Sequence, residues 1–456
     1  MANGSPDRPR SSGLFSGILL ITIGFLMLGW RYGHFHFGPF LHTWWPLIFI
    51  VWGLVKFYER TVAQRQGRTS GWITAGEIFL VVGVFCLVGI IMIVDLAHEK
   101  LKDRDIWSHV DVGDAFTYDL DLPPQTVPAN AHVLINIPRG DVSLRASDEP
   151  QLRITGKKKV KSWNEQAAQK LSESVNVEIT KDGDNYVVRP AGSAQSDGRF
   201  SYELEVGVPK KAEVSVKTEK GDIHVADLAT GVAITTQKGD IEVSDTGGNV
   251  TIDTLGGDTT VSDTKGDVKI AGKGGEVSVV NATGGLTLNG EFYGPIRAEK
   301  LAKGMRFISH RTDFTLTQLT GHMEIGSGNF EVVDAPGNLT LRTSSSDVKI
   351  ENPGGKVSVD NRNGNVEVRY STAPKDDIQL TNSSSEITLS LPANTSFEIT
   401  ADCHSCDINS DFSGTNLNKT TTKSGDTHIE GKYGSGRPIK IILRTSYGAI
   451  AIRKTS

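Results

Sequence analysis

Cysteine is scarce in this sequence, with three residues in 456. Cys86 stands alone in an apolar stretch, whereas Cys403 and Cys406 flank His404 and Ser405 and form a local pair. Such a pair suggests zinc binding or thiol–disulfide exchange, but zinc sites usually take further ligands and redox sites a βαβ pattern. The sequence offers neither, so we expect a local disulfide or two unreacted thiols at Cys403 and Cys406.

A strong excess of one charge is also absent. The net charge is −5, and the part after residue 94 carries 41 basic and 50 acidic residues, which leaves it near −9. Nucleic acids and anionic lipid surfaces attract proteins through an excess of positive charge. We therefore expect no nucleic acid, and no anionic lipid surface, as a main partner of this part.

The sequence does contain a regular repeat, which runs from Gly221 to Leu389 in steps of about nine residues. Each unit has a small or polar corner residue followed by an apolar, a polar and an apolar residue, as in Asp222 to Val225. Such alternation indicates a short strand with one buried face, and its fixed recurrence indicates a solenoid. Two units make a coil of about 18 residues. We therefore predict a parallel β-solenoid (β-helix) with two facing sheets.

Glycine and aspartate occupy many of the corners, as in Lys220-Gly221-Asp222 and Lys238-Gly239-Asp240. Glycine enters sharp bends without steric cost, and the aspartate side chain can accept hydrogen bonds from the turn backbone. The alternative is a calcium ladder, but calcium-binding nonapeptide repeats carry a second, spaced glycine before the aspartate. We therefore expect the corners to be turn structures, and we predict no metal ligands and no cofactor.

The polar residues between the apolar pairs decide between an enzyme and a scaffold. On one sheet they read His224, Glu242, Thr260, Ser278 and Arg297, with no paired carboxylates and no basic or aromatic stripe. We therefore predict no catalytic residues. The nearest candidates for a polysaccharide-cleaving site lack a clear acidic partner in the sequence: Arg297, Arg306, His310 and Arg311. The repeat is least regular at 295–313 and 402–436, and we expect a binding site at one of these breaks.

The first hundred residues have a different composition. Apolar stretches cover about 13–30, 41–57 and 72–94, each long enough to span a bilayer. Basic residues are concentrated before the first stretch and between the second and third, which places residues 1–12 in the cytoplasm and everything after 94 outside. We predict three transmembrane helices, followed by a charged linker at 95–115 and an all-β ectodomain.

Residues 116–209 are expected to form a small α+β cap and the entry to the solenoid, which then occupies 210–456. The segment 162–175 has a helical pattern, with Ser162 as N-cap and Glu165 completing a capping box. A hairpin is predicted around Asp182-Gly183-Asp184. Residues 411–436 are polar and rich in Gly, Ser and Thr, so we expect a long loop or an irregular coil there.

Two family resemblances follow from these motifs. Residues 200–456 resemble the putative adhesin family of bacterial envelope proteins, through the strand before Pro209, the Gly-Asp-Ile/Val repeats and the ending Thr445-Ser446-Tyr447-Gly448-Ala449-Ile450. Residues 13–57 resemble the transmembrane region of the LiaI/LiaF group of cell-envelope stress proteins, through Trp45-Pro46-Leu47-Ile48 and Gly53-Leu54. The resemblances imply a membrane-tethered β-solenoid that binds or senses something at the cell surface.

The sequence therefore predicts a non-enzymatic bacterial cell-envelope protein in the cytoplasmic membrane. Its solenoid would display a rigid surface outside, in the periplasm or at the cell exterior, for adhesin-like interaction or for envelope-stress sensing. The expected partners are the lipid bilayer and an envelope protein or glycan. The alternative is a β-helix enzyme that acts on an envelope polysaccharide.

Overall fold

The computed structural model describes residues 114–191, 198–414 and 416–455, together with Phe57 and Thr61. Apart from Phe57, the three predicted spans lie outside the described residues, as do the cytoplasmic segment 1–12 and most of the linker. In the part that is described, none of the helices has the length and apolarity that a bilayer crossing requires.

From residue 114 onward the described chain is almost entirely β-structure, with one helix, α1. The elements of the first part are β1 (Asp114–Thr126), β2 (His132–Ser147), β3 (Gln151–Ser162), α1 (Glu165–Ser174), β4 (Val177–Asp182), β5 (Asn185–Pro190), β6 (Phe200–Pro209), β7 (Glu213–Lys220), β8 (Ile223–Ala226), β9 (Val232–Thr236), β10 (Ile241–Thr246), β11 (Val250–Thr254), β12 (Thr259–Thr264), β13 (Val268–Gly274), β14 (Val277–Ala282), β15 (Leu286–Phe292) and β16 (Ile296–Leu301).

The second part has a similar strand density but more changes of direction. Its strands are β17 (Met305–Ile308), β18 (Thr312–Leu316), β19 (Leu319–Ile325), β20 (Asn329–Val333), β21 (Leu339–Thr343), β22 (Asp347–Glu351), β23 (Val357–Asn361), β24 (Val366–Arg369), β25 (Ile378–Asn382), β26 (Ile387–Pro392), β27 (Phe397–Cys403), β28 (Ile408–Ser410), β29 (Leu417–Thr421), β30 (Thr427–Tyr433), β31 (Ile439–Thr445) and β32 (Ile450–Thr455).

The regular strands alternate between two sheets, which confirms the predicted two-sheet solenoid. In sheet A, β10 is parallel to β8 and β12, and Ile241 pairs with Ile223, one coil earlier. In sheet B, β11 is parallel to β9 and β13, and Val250 pairs with Val232. The apolar residues of each strand point inward and are buried, whereas the polar residue between them faces outward. Each coil therefore buries its apolar row against its neighbours.

One strand, β2, forms a complete coil by itself. Its first half pairs with β7 in sheet B and its second half pairs with β8 in sheet A. The strand bends between the sheets at Gly140, where φ is +128° and an added Cβ atom would lie 1.8 Å from the carbonyl oxygen of Tyr202. Only glycine fits there. The stack of coils therefore includes residues 132–147, which the sequence analysis assigned to the cap region.

The N-terminal cap closes one end of this stack. The predicted hairpin is present, with β4 and β5 antiparallel and Asp182 paired with Asn185. The predicted capping box is wrong, because Ser162 ends strand β3 and α1 starts later. The N-cap is Asn164, whose Oδ1 atom accepts a hydrogen bond of 2.8 Å from the backbone nitrogen of Ala167.

One coil runs in the opposite direction to all the regular coils, which the sequence analysis did not predict. Strand β18 is antiparallel to both β17 and β21, and β19 is antiparallel to both β16 and β20. We call β18 and β19 the reversed coil. The chain enters it through a tight hairpin at 309–311 and leaves through another at 326–328. The second hairpin accounts for the short step of the repeat between 322 and 329.

The C-terminal coil is inserted out of sequence order. Strand β31 lies between β25 and β27 in sheet B, and β32 lies between β26 and β28 in sheet A. The segment 411–436, expected to be a loop or an irregular coil, contains strands β29 and β30, an antiparallel hairpin on the edge of β27. That expectation is wrong, because exposed polar strands at a sheet edge do not show the apolar alternation used to recognise strands.

Candidate functional site

The corner aspartates connect successive coils. The Oδ1 atom of Asp222 accepts a hydrogen bond of 2.8 Å from the backbone nitrogen of Asp240, and the Oδ1 atom of Asp240 accepts one of 2.8 Å from the nitrogen of Asp258. On the other corner, Asp267 accepts from Gly285 at 2.9 Å. This hydrogen bond and nearby Lys303 lower the pKa of Asp267. The corner carboxylates therefore act in the turn chemistry that the sequence predicts.

A calcium site would need several of these carboxylate oxygens to converge on one ion. In the described ranges, no group of three or more His, Cys, Asp or Glu side chains is arranged to hold a metal ion. The corner carboxylates form a row in which the Oδ1 atoms of Asp222 and Asp240 each accept a hydrogen bond from the backbone of the next coil.

Two of the candidate arginines are paired with carboxylates, contrary to the expectation from the sequence. Arg297 forms ion pairs with Glu276 and Glu324, and these partners raise its pKa. Arg306 contacts Asp313 and Thr315 of the neighbouring strand β18. The acidic partners of Arg297 and Arg306 come from other coils, and Glu324 and Asp313 lie on the reversed coil. Their proximity could not be recognised without the strand order.

The other two candidates, His310 and Arg311, form the tip of the hairpin that begins the reversed coil. The backbone nitrogen of His310 donates a hydrogen bond of 2.6 Å to Glu291. The Oγ atom of Ser309 accepts hydrogen bonds from the backbone nitrogens of Arg311 and Thr312, at 3.3 and 3.1 Å. These contacts fix the backbone conformation of the tip that carries Arg311.

The hairpin tip forms one wall of a cavity of about 580 Å³. The other wall consists of the ends of strands β21, β23 and β25 of sheet B, together with the corner residues that follow them. We call this the basic cavity, and its lining residues are His310, Arg311, Arg342, Thr343, Ser344, Asp360, Arg362 and Ser383. The cavity lies at the first of the two breaks in the repeat, where a binding site is expected.

Three arginines and one carboxylate give the basic cavity a positive charge. The Nε atom of Arg342 lies 3.4 Å from the Oδ2 atom of Asp360. Among the described residues, the guanidinium groups of Arg311 and Arg362 have no ion-pair partner. Both side chains are exposed. The cavity therefore presents two unneutralised guanidinium groups, although the chain after residue 94 has a negative net charge.

Buried polar side chains hold the cavity wall in place. The amide nitrogen of Asn361 donates hydrogen bonds to the carbonyl oxygens of Ser346 and Gly364, at 2.9 and 3.0 Å. One coil further, the amide of Asn382 donates to the same Gly364 oxygen at 2.9 Å. Arg362 and Ser383 directly follow these two asparagines. The hydrogen bonds of the buried asparagines therefore fix the backbone of Arg362 and Ser383.

Sequence reasoning identified the break and Arg311 but missed Arg342 and Arg362. Neither residue was singled out from the sequence: Arg342 lies on strand β21, and Arg362 lies at the corner after β23. The available signal was that Arg342 is the last residue but one of β21 and that Arg362 directly follows β23, the next strand of the same sheet. It becomes informative only when the reversed coil places Arg311 beside them.

The second break contains a disulfide between Cys403 and Cys406, whose Cα atoms are 5.4 Å apart. Nearby, the Nδ1 atom of His404 lies 2.7 Å from Asp426, and the Nδ1 atom of His428 lies 2.7 Å from Asp402. The hydrogen bond to Asp402 raises the pKa of His428. Each histidine is thus paired with its own carboxylate, which ties the hairpin of β29 and β30 to the end of the solenoid.

Another cavity, of about 620 Å³, lies on the outer surface of sheet B near the N-terminal cap. It is lined mainly by small and uncharged residues, including Ser215, Ala233 and Asn249. Its ionisable side chains, His132 and Glu213, approach each other, with 3.1 Å between Nδ1 and Oε2. This surface has no group of like charges comparable to the basic cavity.

Comparison with known proteins agrees with both resemblances drawn from the sequence. The profile of the family described as Toastrack DUF4097 matches residues 131–336 and 308–453, which together exceed half of the chain. The two matches overlap at the reversed coil. The profile of the LiaF transmembrane domain matches residues 15–101. No curated protein matches the chain.

Several solved structures are similar to this chain at low sequence identity. They include a putative cell adhesion protein from Clostridium sporogenes, with 10% identity, 75% of this chain and 100% of that chain covered, and a TM-score of 0.16. A putative adhesin from Parabacteroides distasonis has 12% identity, coverage of 75% and 98%, and a TM-score of 0.25. A putative adhesin from Bacteroides fragilis has 12% identity, coverage of 76% and 99%, and a TM-score of 0.17. By the extent of the family match, the chain belongs to the Toastrack DUF4097 family.

Proposed function

We propose that this protein is a non-enzymatic, membrane-anchored receptor that binds an anionic ligand of the bacterial envelope in the basic cavity. Three helices at about 13–30, 41–57 and 72–94 would anchor it in the cytoplasmic membrane, with the N-terminus inside. The solenoid would stand on the outer side. The match to the LiaF transmembrane domain over residues 15–101 and the distribution of basic residues support this arrangement.

The observation that carries the proposal is the convergence of Arg311, Arg342 and Arg362 around one cavity that contains a single carboxylate. Arginine binds carboxylates and phosphates through two parallel hydrogen bonds, which adds geometric specificity to the charge attraction. Like charges brought together from separate coils repel one another. An anionic ligand would remove this repulsion and gain hydrogen bonds at the same time.

The acidic character of the ectodomain is compatible with such a site. At physiological salt, exposed charges more than about 8 Å apart are largely screened from one another. A ligand at the cavity would therefore respond mainly to the local arginines rather than to the net charge. We expect binding to depend on the cavity residues and to weaken as salt is raised.

Enzymatic cleavage of an envelope polysaccharide is the weaker alternative. Glycoside hydrolysis generally uses two carboxyl groups, one on each side of the bond that is cleaved. The basic cavity is lined by one carboxylate, Asp360, which is engaged by Arg342 at 3.4 Å. The lining is thus better suited to holding an anion than to cleaving a glycosidic bond.

Binding could serve attachment to an external target or the regulation of a neighbouring membrane protein. The first step of both is recognition of the anionic ligand, so one experiment tests them together. The full-length protein would be placed in nanodiscs of zwitterionic lipid, and its affinity for labelled anionic oligosaccharides would be measured. A double variant, Arg311→Ala with Arg362→Ala, should lose binding.

A matched control removes the same charge elsewhere on the ectodomain. Arg369 lies on strand β24 of sheet A and Arg437 lies in the loop before β31, and both are exposed and outside the cavity lining. The variant Arg369→Ala with Arg437→Ala should bind as the natural protein does. Equal losses in the two double variants would mean that net charge, and not the cavity, determines binding, and would contradict the proposal.

A further inference from the structure

The basic cavity continues into a row of exposed and half-buried residues along one corner of the solenoid. Strand pairing aligns Thr312, Thr343, Asn361, Asn382 and Thr445 across β18, β21, β23, β25 and β31. The corner residue next to each of these forms a second row. We call that row the corner edge, and its members are Arg311, Ser344, Arg362, Ser383 and Ser446.

The spacing of the corner edge is that of the stacked strands, about 4.8 Å per step. Arg311 and Arg362 are two steps apart, or about 10 Å, and the whole row is about 19 Å long. Serine hydroxyls occupy the positions between and beyond the arginines. The edge therefore alternates cationic groups with neutral hydrogen-bonding groups, and it is longer than a single small anion requires.

Tyr447 lies at the far end of this edge. Its backbone nitrogen donates a hydrogen bond of 3.1 Å to the carbonyl oxygen of Ser383, a residue of the cavity lining. The side chain is 74% exposed. One ring neighbour is His404, with centroids 6.5 Å apart in an edge-on arrangement. The ring therefore leaves most of its surface open to a ligand that follows the edge.

On the basis of the proposed function, we infer that the ligand is a linear acidic polysaccharide that lies along the corner edge. Its anionic groups bind Arg311 and Arg362, its hydroxyl groups bind the serines, and the C–H face of a sugar ring packs on Tyr447. An extended sugar chain advances by roughly one strand spacing per ring, so an anionic group on every second ring would match the two arginines. The anionic group is a carboxylate or a phosphodiester, since arginine binds both.

Other polyanions fit the edge less well. A polyphosphate chain has no apolar face to pack on Tyr447, and its charges would also lie opposite the serines. An acidic peptide would gain from pairing with a free strand edge, but this edge consists of corner side chains beside strands that are already paired. The combination of spaced cations, hydroxyls and one open aromatic ring is typical of carbohydrate recognition.

The test uses the full-length protein in nanodiscs of zwitterionic lipid. The probes are hyaluronan oligosaccharides of increasing length, which carry a carboxylate on every second ring, and disaccharide phosphate oligomers, which carry a phosphodiester after every second ring. Inorganic polyphosphate serves as a polyanion without sugar rings. We expect affinity for one of the two saccharide series to rise with length until the edge is covered and then to level off. The series with the higher affinity identifies the anionic group.

Tyr447→Ala should weaken binding of that saccharide about 3- to 10-fold, as expected for loss of one ring contact. Tyr447→Phe keeps the ring and should stay within about twofold of the natural protein. Polyphosphate binding should not change in either variant. Because Tyr447 is exposed, thermal unfolding of both variants should match that of the natural protein, which checks that the fold is intact.

The outcomes separate this inference from the proposed function. If Arg311→Ala with Arg362→Ala abolishes saccharide binding but Tyr447→Ala has no effect, the cavity binds anions and the polysaccharide path is wrong. If polyphosphate binds as tightly as any saccharide and affinity does not rise with saccharide length, the path is also wrong. If no anionic probe depends on the two arginines, the proposed function itself fails.

Discussion

The Nε atom of Arg342 lies 3.4 Å from the Oδ2 atom of Asp360, which occupies the equivalent position one coil further along sheet B. Asp360 is the only carboxylate in the lining of the basic cavity. It neutralises one of the three arginines. The cavity thus has one arginine that is paired within the protein and two that are available to a ligand.

Removing this carboxylate should strengthen anion binding. Asp360→Asn keeps the shape of the side chain but frees the charge of Arg342, so we expect the affinity for an anionic oligosaccharide to rise roughly threefold to tenfold. The gain should shrink as salt is raised. Titration calorimetry at two salt concentrations measures both effects, and a lower affinity of the variant would show that Asp360 helps to bind the ligand.

The corner hydrogen bonds should contribute to local stability. Asp240→Ala removes the acceptor for the backbone nitrogen of Asp258, a hydrogen bond of 2.8 Å, and should cost about 1 kcal/mol. Asp240→Asn keeps an oxygen acceptor and removes one charge from a stacked acidic row. The free energy of unfolding of this variant should therefore be close to that of the natural protein. Hydrogen exchange at the Asp258 amide measures the difference. Equal exchange rates in the two variants would contradict this role of the aspartate side chain.

Strand pattern alone predicted the two sheets, because the apolar pairs at residues such as Ile223 and Val225 recur at a fixed spacing. The strands were predicted to be parallel throughout. This is right for the regular coils and wrong for β18 and β19, because an alternating pattern reads the same in both directions along the chain. The sequence pattern therefore shows the reversed coil only as a shortened step of the repeat between residues 322 and 329. This limitation also hid the basic cavity, since Arg311 lies beside Arg342 and Arg362 only when β18 runs backwards.

The position of the C-terminal coil between earlier strands could not be predicted from the sequence pattern either. Residues 439–455 have clear apolar alternation, but alternation does not state which strands are neighbours. In the structure, β31 and β32 lie between strands that precede them in sequence. Their place is determined by packing at the end of the solenoid and not by local order.

A truncated chain that ends at residue 438 should have a destabilised C-terminal end of the solenoid. Without β31 and β32, the facing edges of β25 and β27 in sheet B, and of β26 and β28 in sheet A, would be unpaired. Unpaired strand edges promote association between chains. We expect the truncated protein in detergent to form larger assemblies on gel filtration and to unfold at a lower temperature. A monodisperse truncated protein with unchanged thermal stability would contradict the role assigned to this coil.

The C-terminal hairpin should become less protected as the pH rises. The pKa of His428 is raised mainly by its hydrogen bond to Asp402, with a further contribution from Glu430. A group whose pKa is higher in the folded state stabilises that state fully below its unfolded pKa, about 6.5, and loses the effect as the pH passes through the folded pKa. The attachment of β30 to β27 should therefore weaken from neutral to mildly alkaline pH.

Hydrogen exchange over residues 417–433, corrected for the intrinsic effect of pH, measures this change. His428→Gln has no titrating group at this position and provides the control. Its protection should vary less with pH than that of the natural protein. An identical pH dependence in both proteins would show that another group controls the hairpin.

The central claim is that the basic cavity binds an anionic ligand, and one affinity comparison tests it most directly. Full-length protein in zwitterionic nanodiscs is titrated with an anionic oligosaccharide, and the cavity variant Arg311→Ala with Arg362→Ala is compared with the control variant Arg369→Ala with Arg437→Ala. Two lost charge-assisted hydrogen-bonding groups should reduce the affinity of the cavity variant roughly 30- to 100-fold. The control variant should stay within about twofold of the natural protein. Equal affinities of the two variants would contradict the claim.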